Sequence, residues 1–121
     1  MLVADDEPSV RLVTRKFLER WGFEVIEAAD GLEALATAER EADRLRLVLL
    51  DITMPRKDGI EAFRELRQVN RRLPVVLMSG FSEQAAATDL GRFGRALFIQ
   101  KPFKGDDLRR VISEAIRESG D

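Results

Sequence analysis

The sequence predicts an α/β fold in which a doubly wound, open parallel sheet carries helices on both faces. Strand-like apolar runs alternate five times with segments of helical periodicity over 121 residues, and such alternation is typical of parallel strands joined by crossover helices. Five βα units are too few for a closed eight-stranded barrel. With 45% hydrophobic residues, the chain can bury a core without disulfides or structural metals. We therefore expect one domain over residues 1–121.

The predicted elements follow one another in a regular order. The strand-like runs are short and bounded by turn residues, whereas the helical segments carry apolar residues three and four positions apart. The predicted strands cover residues 1–5, 23–28, 46–51, 74–80 and 96–100, and the predicted helices cover 8–22, 30–42, 60–70, 82–90 and 105–119.

Local signals support the helix boundaries. Pro8 suits the first turn of the first helix and Gly22 suits its end, while Asp30 and Glu33 have the spacing of a capping box at the start of the second. The apolar side chains at helical spacing in the first, third and fifth helices are Val10, Val13, Phe17, Leu18 and Trp21; Ile60, Phe63 and Leu66; and Leu108, Val111, Ile112, Ala115 and Ile116. The fourth helix is alanine-rich and followed by glycines, and we expect it to be marginal alone.

The composition excludes several classes of function. The chain has no cysteine and no histidine, which excludes a thiol nucleophile, a Ser-His-Asp triad and a zinc site built from histidine. Its 20 basic and 22 acidic residues give a net charge of −2, so no electrostatic footprint for nucleic acid is expected. No apolar run is long enough to span a membrane, and no signal peptide is evident. We expect a cytoplasmic domain that binds neither nucleic acid nor membrane.

Polar residues follow four of the five predicted strands. Because the carboxyl ends of parallel strands open onto one rim of the sheet, these residues are expected to lie together. Each also has a simpler interpretation: an acid that favours a helix start, a loop cap, a turn hydroxyl or a surface amine. The residues are Asp5, Asp6 and Glu7 after strand one, Asp51 at the end of strand three, Ser79 at the end of strand four and Lys101 after strand five.

Electrostatics favours a shared role for these residues. Carboxylates about 4 Å apart repel by roughly 4 kcal/mol at an effective dielectric near 20, so several on one rim need a cation. Oxygen-only ligands suit Mg²⁺, and Lys101 adds a second positive charge. Such a site is suited to phosphoryl transfer. We predict that Asp51 is the nucleophile and that Ser79 donates a hydrogen bond to a phosphoryl oxygen.

With these residues in view, the chain resembles the receiver domain of two-component response regulators over its whole length. The matching segments are "VADDEPSVR", "LLDITMPRKDG", "VVLMSG" and "FIQKPF". The resemblance implies a flavodoxin-like fold with strand order 2-1-3-4-5. It also implies that Asp51 takes a phosphoryl group from a phosphohistidine on a sensor histidine kinase or a histidine phosphotransfer domain.

The resemblance further implies a role for each site residue. Asp6 would be a direct carboxylate ligand of Mg²⁺, Asp5 would act partly through water, and Asp51 would be the third acid ligand. Thr53 would contribute its backbone carbonyl. Lys101 would be the ion-pair partner of the phosphoryl group.

Other positions are implied to switch or tune the domain. Ser79 would be the switch hydroxyl, and Phe98 would take the place of an aromatic switch residue, although a plain core side chain is an equal alternative. The lifetime of the phosphoryl group would be tuned at Thr53 and at Phe81, whose bulk is expected to hinder an attacking water. The bond from Lys101 to Pro102 is expected to be cis.

Phosphorylation is expected to repack the surface formed by the fourth helix, the fifth strand and the fifth helix, where partners or a second copy of the chain could bind. On this reading the domain is not an enzyme, since it promotes only its own phosphorylation and dephosphorylation. One alternative is the C-terminal receiver of a hybrid histidine kinase in a phosphorelay. A Mg²⁺-dependent aspartyl-phosphate phosphatase is more distant, because it would need a second acid where Thr53 stands. A flavin-binding module lacks its phosphate loop, and a degenerate receiver would lack part of the acid, Ser79 and Lys101 set.

Overall fold

The structure is a computed structural model that describes residues 1–52, 54, 57–70, 72–79 and 97–118. In these residues five parallel strands form one sheet in the order β2-β1-β3-β4-β5, which is the predicted order 2-1-3-4-5. The strands are β1 (Leu2–Ala4), β2 (Ile26–Ala28), β3 (Val48–Asp51), β4 (Val75–Ser79) and β5 (Leu97–Gln100).

Four helices lie within the described residues. They are α1 (Pro8–Arg20), α2 (Gly31–Arg40), α3 (Gly59–Val69) and the C-terminal helix (Gly105–Glu118). Each agrees with a helix predicted from the sequence to within a few residues at either end. The predicted helix over 82–90 lies outside the described residues, as do the glycines that follow it.

The helices pack on both faces of the sheet, so the core has two layers. On one face, Leu18 of α1 and Leu108 and Ile112 of the C-terminal helix are buried against Val3, Leu49 and other strand residues. On the other face, Ala34 of α2 and Phe63 and Leu66 of α3 are buried against the side chains that alternate with these. The strands β1, β3 and β4 are buried throughout, as expected for central parallel strands covered by helices on both sides.

One apolar residue of the helical pattern in α1 does not lie in the core. Val13 is 52% exposed, whereas Thr14 is completely buried in its place. Positions 13 and 14 lie on either side of the helix face that carries Phe17 and Leu18. The helix is rotated so that position 14, rather than position 13, faces the sheet. Threonine can occupy such a position because its methyl group packs as an aliphatic side chain does.

The predicted helix-start and helix-stop signals are largely confirmed. The Asp30 side chain caps α2 by accepting a hydrogen bond from the Glu33 amide at 2.8 Å, while the Glu33 carboxylate accepts one from the Ala29 amide at 3.4 Å. The reciprocal half of the capping box thus reaches one residue before the cap. Pro8 begins α1, and Gly22 has a φ of 92° just after its end, a conformation that glycine adopts without strain.

The strand register brings the carboxyl ends of the central strands to one level. Ala4 lies opposite Leu50, Asp51 lies opposite Met78, and Ser79 lies opposite Gln100. The residues that end or follow these strands therefore face a common rim, where α1, α3 and the C-terminal helix begin. In the described part of the chain, none of the helices is both long and apolar enough to cross a bilayer.

Candidate functional site

Three carboxylates meet at the carboxyl end of the sheet. One oxygen from each of Asp5, Asp6 and Asp51 lies within 4.8 Å of the other two. Asp5 is completely buried and Asp51 is 4% exposed, whereas Asp6 is exposed. The predicted grouping of the acids that follow β1 and end β3 is therefore what the structure shows.

Lys101 is shared between two of these acids. Its Nζ lies 2.7 Å from Asp5 Oδ2 and 3.2 Å from Asp51 Oδ2, and its side chain is only 19% exposed. Burial favours the neutral amine, but the hydrogen bond to Asp5 and the charge of Asp51 outweigh it and raise the pKa of Lys101. The lysine is therefore a fixed cation at this rim.

The three carboxylates outnumber the cation that the described residues bring to them. Counting Asp5, Asp6, Asp51 and Lys101 alone, the group has a net charge of −2. A divalent cation would neutralise this excess, and a donor set made only of oxygens suits a hard cation such as Mg²⁺. Asp5 Oδ1 accepts a hydrogen bond from the Glu7 amide at 2.9 Å, which fixes the orientation of this carboxylate, while the Asp6 carboxylate is exposed and accessible to an ion. The residues present thus fit a metal ion.

Ser79 supplies a buried hydroxyl at the end of β4. It is completely buried, and its Oγ has no hydrogen-bond partner among the described residues. Its backbone carbonyl accepts a hydrogen bond from the Lys101 amide at 2.8 Å, which ties the ends of β4 and β5 together. A buried hydroxyl without a partner is unfavourable by about 1–3 kcal/mol, so a ligand oxygen that accepted a hydrogen bond from Ser79 would be favourable here.

Gly59 fixes the distance between α3 and the end of β3. A Cβ at this position would lie 2.1 Å from the backbone oxygen of Asp51, so any side chain would force the helix away. The Gly59 amide donates to the Ile52 carbonyl at 2.8 Å, and Asp58 caps α3 by accepting from the Glu61 amide at 2.9 Å. These contacts hold the segment around Asp51 against the helix start.

Of the remaining predicted site residues, some lie within the described residues and others do not. The peptide bond between Lys101 and Pro102 is cis, as predicted. Phe98 in β5 is partly buried and packs against the core layer of α2 and α3, a position compatible with both the switch and the core interpretation. Thr53 and Phe81 lie outside the described residues, so their roles stay predictions.

Sequence reasoning missed an arginine beside the cluster. Arg11 of α1 donates from Nη1 to the backbone oxygen of Asp5 at 2.6 Å and from Nε to Glu27 Oε1 at 3.1 Å. No sequence pattern marks a bond from a side chain to a backbone oxygen. From the sequence, Arg11 would be interpreted as an ordinary solvent-exposed residue of the first helix, because its six-residue separation from Asp5 indicates no contact.

Comparison with known proteins gives a consistent result. A family model described as response regulator receiver domain matches residues 1–113. Among curated proteins, the chain is similar to the chemotaxis protein CheY of Bacillus subtilis (strain 168), with 32% identity over 96% of this chain and 96% of that protein. It is also similar to the sensor kinase CckA of Brucella abortus (strain 2308), with 32% identity over 98% of this chain. The chain spans only 12% of the length of CckA.

Solved structures agree with this result. The chain is similar to the crystal structure of the receiver domain of NtrX from Brucella abortus, with 36% identity, a TM-score of 0.88 and coverage of 96% of this chain and 97% of that one. It also matches a response regulator receiver domain protein from Clostridium thermocellum with a TM-score of 0.91 and 26% identity, over 97% of this chain and 93% of that one. The predicted flavodoxin-like fold is confirmed.

Proposed function

The chain belongs to the response regulator receiver domain family of two-component systems, and on that premise we propose that Asp51 accepts a phosphoryl group from a phosphohistidine donor with the help of Mg²⁺. The observation that carries the proposal is the buried Asp51 carboxylate, held 3.2 Å from Lys101 and within 4.8 Å of two further acids. A buried carboxylate requires a cationic partner, which Lys101 provides. A carboxylate held beside a cation and two further acids is suited to react with a phosphoryl group.

Asp5, Asp6 and Asp51 are the residues that would hold Mg²⁺, with the Thr53 carbonyl predicted as a further ligand. When bound, the ion supplies charge neutralisation for a transferring phosphoryl group. The protein contributes the fixed positions of the carboxylates. The Asp5 carboxylate is held by both the Glu7 amide and Lys101.

The transfer itself is a displacement at phosphorus. An oxygen of the Asp51 carboxylate forms a bond to phosphorus while the bond from phosphorus to the histidine nitrogen breaks, and the imidazole keeps the electron pair of that bond and takes up a proton. The product on this chain is an acyl phosphate. Lys101 Nζ would pair with the phosphoryl oxygens, and Ser79 Oγ would donate a hydrogen bond to one of them.

The switch would follow from these new contacts. Phosphorylation adds negative charge and strong acceptor oxygens at Asp51, so the Ser79 hydroxyl gains an acceptor that it lacks in the described residues. Movement of Ser79 would pull the segment after β4, and Phe98 would fill the space that it leaves. The readout would be the surface of the predicted helix 82–90, β5 and the C-terminal helix, where a partner or a second copy of the chain would bind.

The partners on this proposal are a sensor histidine kinase or a histidine phosphotransfer domain. The domain would promote only its own phosphorylation and dephosphorylation, so we do not propose that it is an enzyme acting on other substrates. The similarity to part of the sensor kinase CckA supports a second context, in which the chain is the receiver of a hybrid kinase in a phosphorelay. The chemistry at Asp51 is the same in both contexts.

Phosphorylation by a small-molecule donor tests the proposal. The protein is incubated with acetyl phosphate and Mg²⁺, and intact-mass spectrometry counts the phosphoryl groups on the wild type, on Asp51→Asn and on the control Asp43→Asn. Asp43 is exposed and lies between α2 and β3, on the side of the sheet opposite to the carboxyl ends of the strands. We expect one phosphoryl group on the wild type and on the control, none on Asp51→Asn, and none on the wild type when EDTA removes the metal. Equal labelling of all three proteins would refute the assignment of Asp51.

A further inference from the structure

Arg11 joins three parts of the protein next to the carboxylate cluster. From α1 it reaches the Asp5 backbone oxygen with Nη1 at 2.6 Å and Glu27 Oε1 with Nε at 3.1 Å. Its side chain is 17% exposed. The two nitrogens of one planar guanidinium are thus used in different directions, one toward the end of β1 and one toward β2. A lysine has one nitrogen at its tip and cannot make both contacts in this geometry.

Glu27 is fixed both by a second arginine and by its position in the sheet. Its second carboxylate oxygen pairs with Arg15 Nη1 at 2.7 Å, and its backbone lies in β2 opposite Val3 of β1. The anchor of Arg11 is therefore a carboxylate fixed by the sheet and by a second arginine on the same helix. The position of the Arg11 guanidinium relative to the strand ends is correspondingly restricted.

The backbone oxygen that Arg11 binds belongs to the peptide linking Asp5 and Asp6. The orientation of this peptide sets the direction in which the Asp6 side chain leaves the backbone. Within the described part of the chain, the Asp6 carboxylate makes no hydrogen bond or ion pair, and it is exposed. The other side of the segment is fixed by the Asp5 amide, which donates to the Ala28 carbonyl at 3.1 Å. Arg11 therefore supplies the second support of a short segment that carries two of the three acids.

We propose that Arg11 is a positioning residue that holds the peptide between Asp5 and Asp6, and with it the metal-binding carboxylates, in the orientation that Mg²⁺ requires. This inference rests on the proposed function, since it concerns the same site. It assigns Arg11 no contact with the metal or the phosphoryl group. It acts through the backbone oxygen of Asp5, and Glu27 fixes it in place.

Charge and positioning make opposite predictions for the loss of Arg11. A positive charge near the site repels Mg²⁺, so removal of a merely neighbouring charge would tighten Mg²⁺ binding. Removal of a positioning contact would weaken Mg²⁺ binding, because outer groups that orient metal ligands typically change metal affinity by about tenfold or more. The sign of the change therefore separates the two roles.

The test is a Mg²⁺ titration of the intact protein followed by backbone amide NMR, at a temperature where every variant is folded. The variants are Arg11→Met, Arg11→Lys and the control Arg20→Met, which removes an equal charge from the exposed end of the same helix. We expect Arg11→Met to weaken Mg²⁺ affinity by about tenfold, Arg11→Lys to weaken it as well despite its charge, and Arg20→Met to leave it nearly unchanged. In the metal-free protein, the amides of Asp6 and Glu7 should shift in both Arg11 variants.

A folded Arg11→Met or Arg11→Lys protein that binds Mg²⁺ as tightly as the wild type, or more tightly, would overturn the inference and leave the proposed function standing. Absence of Mg²⁺ binding by the wild type would instead defeat the proposed function itself. If Arg11→Met does not fold, Arg11→Lys decides the question, because it keeps the charge and the aliphatic stem. A purely structural role would lower the thermal stability of the variants without changing their Mg²⁺ affinity.

Discussion

Neutralising Asp6 should make the metal-free protein more stable. Asp6 is exposed, and one of its oxygens lies within 4.8 Å of oxygens of both Asp5 and Asp51. Asp6 forms no ion pair in the described residues, whereas Lys101 is already engaged by the other two acids. The substitution Asp6→Asn therefore removes two repulsions and no direct salt bridge, while it keeps the size of the side chain.

The size of the effect follows from these distances. At 4.8 Å or less, each pair repels by at least about 3.5 kcal/mol at an effective dielectric near 20, and by about 0.9 kcal/mol at the dielectric of water. Because Asp6 is exposed, solvent screening puts each pair near the lower figure, and Lys101 attracts Asp6 from a greater distance and offsets part of the sum. We expect a gain of about 1 kcal/mol, which corresponds to a rise in Tm of about 4 °C for a domain of this size.

Mg²⁺ should reverse the order of the two proteins. An ion that binds only the folded state stabilises it by about 2.7 kcal/mol when present at about one hundred times its Kd. The wild type receives this stabilisation in full, whereas Asp6→Asn has lost a carboxylate ligand and receives less at the same concentration. Thermal unfolding is followed by circular dichroism in EDTA and in increasing MgCl₂, with NaCl adjusted so that the ionic strength stays constant.

The neighbouring acid provides the matched control. Glu7 is exposed and lies outside the carboxylate cluster, so Glu7→Gln should respond to Mg²⁺ as the wild type does. The reasoning fails if Asp6→Asn is less stable than the wild type in EDTA. It also fails if Mg²⁺ raises the Tm of the wild type and of Asp6→Asn by the same amount.

Three further substitutions test other parts of the structure. Gly59→Ala places a Cβ 2.1 Å from the Asp51 backbone oxygen and should lower the free energy of unfolding in urea by about 2 kcal/mol; a neutral result would mean that α3 can shift freely. Thr14→Val removes a buried hydroxyl that has no hydrogen-bond partner in the described residues and should raise that free energy by about 1 kcal/mol, with a loss as the contrary outcome. The hydrogen bond from Arg15 lowers the pKa of Glu27; burial of the carboxylate opposes this shift, and the hydrogen bond from Arg11 adds to it. The ionised carboxylate therefore stabilises the folded protein above its unfolded pKa of about 4.3, and this stabilisation is lost as the pH falls through the lower folded pKa. Urea unfolding should therefore show Glu27→Gln less stable than the wild type at neutral pH, with a difference that shrinks as the pH falls below the unfolded pKa of about 4.3, and a difference that does not shrink in acid would contradict this.

Much of the fold could be predicted because its local signals and its pattern agree. The buried strands have the continuous apolar runs that a covered parallel sheet requires, and Asp30 caps a helix where its spacing with Glu33 indicates. Burial at Val13 and Thr14 could not be read from periodicity, which does not choose between two adjacent positions on the edge of a helix face. Which of the two side chains is buried depends on the rotation of α1 about its axis against the sheet, and tertiary packing sets this rotation.

For the candidate site, too, some features could be predicted from the sequence and others could not. Topology alone brings Asp5, Asp51 and Lys101 together, because the carboxyl ends of neighbouring parallel strands share one rim. The contact of Arg11 with the Asp5 backbone oxygen could not be predicted, since any arginine on α1 can reach several acceptors and a carbonyl oxygen has no sequence signature. The lack of a partner for the Ser79 hydroxyl among the described residues likewise depends on the packing around the end of β4.

The way in which Lys101 is shared explains why the site can act as a switch under the proposed function. In the described structure one ammonium serves two buried carboxylates, at 2.7 Å from Asp5 and 3.2 Å from Asp51, while the Ser79 hydroxyl has no partner there. A phosphoryl group on Asp51 would offer new oxygens to both residues at once. Only groups whose contacts differ between two states can shift the balance between them. Lys101 and Ser79 both meet that condition, and they lie on adjacent strands tied by the bond from the Lys101 amide to the Ser79 carbonyl, so a change at Asp51 would reach the ends of β4 and β5 together.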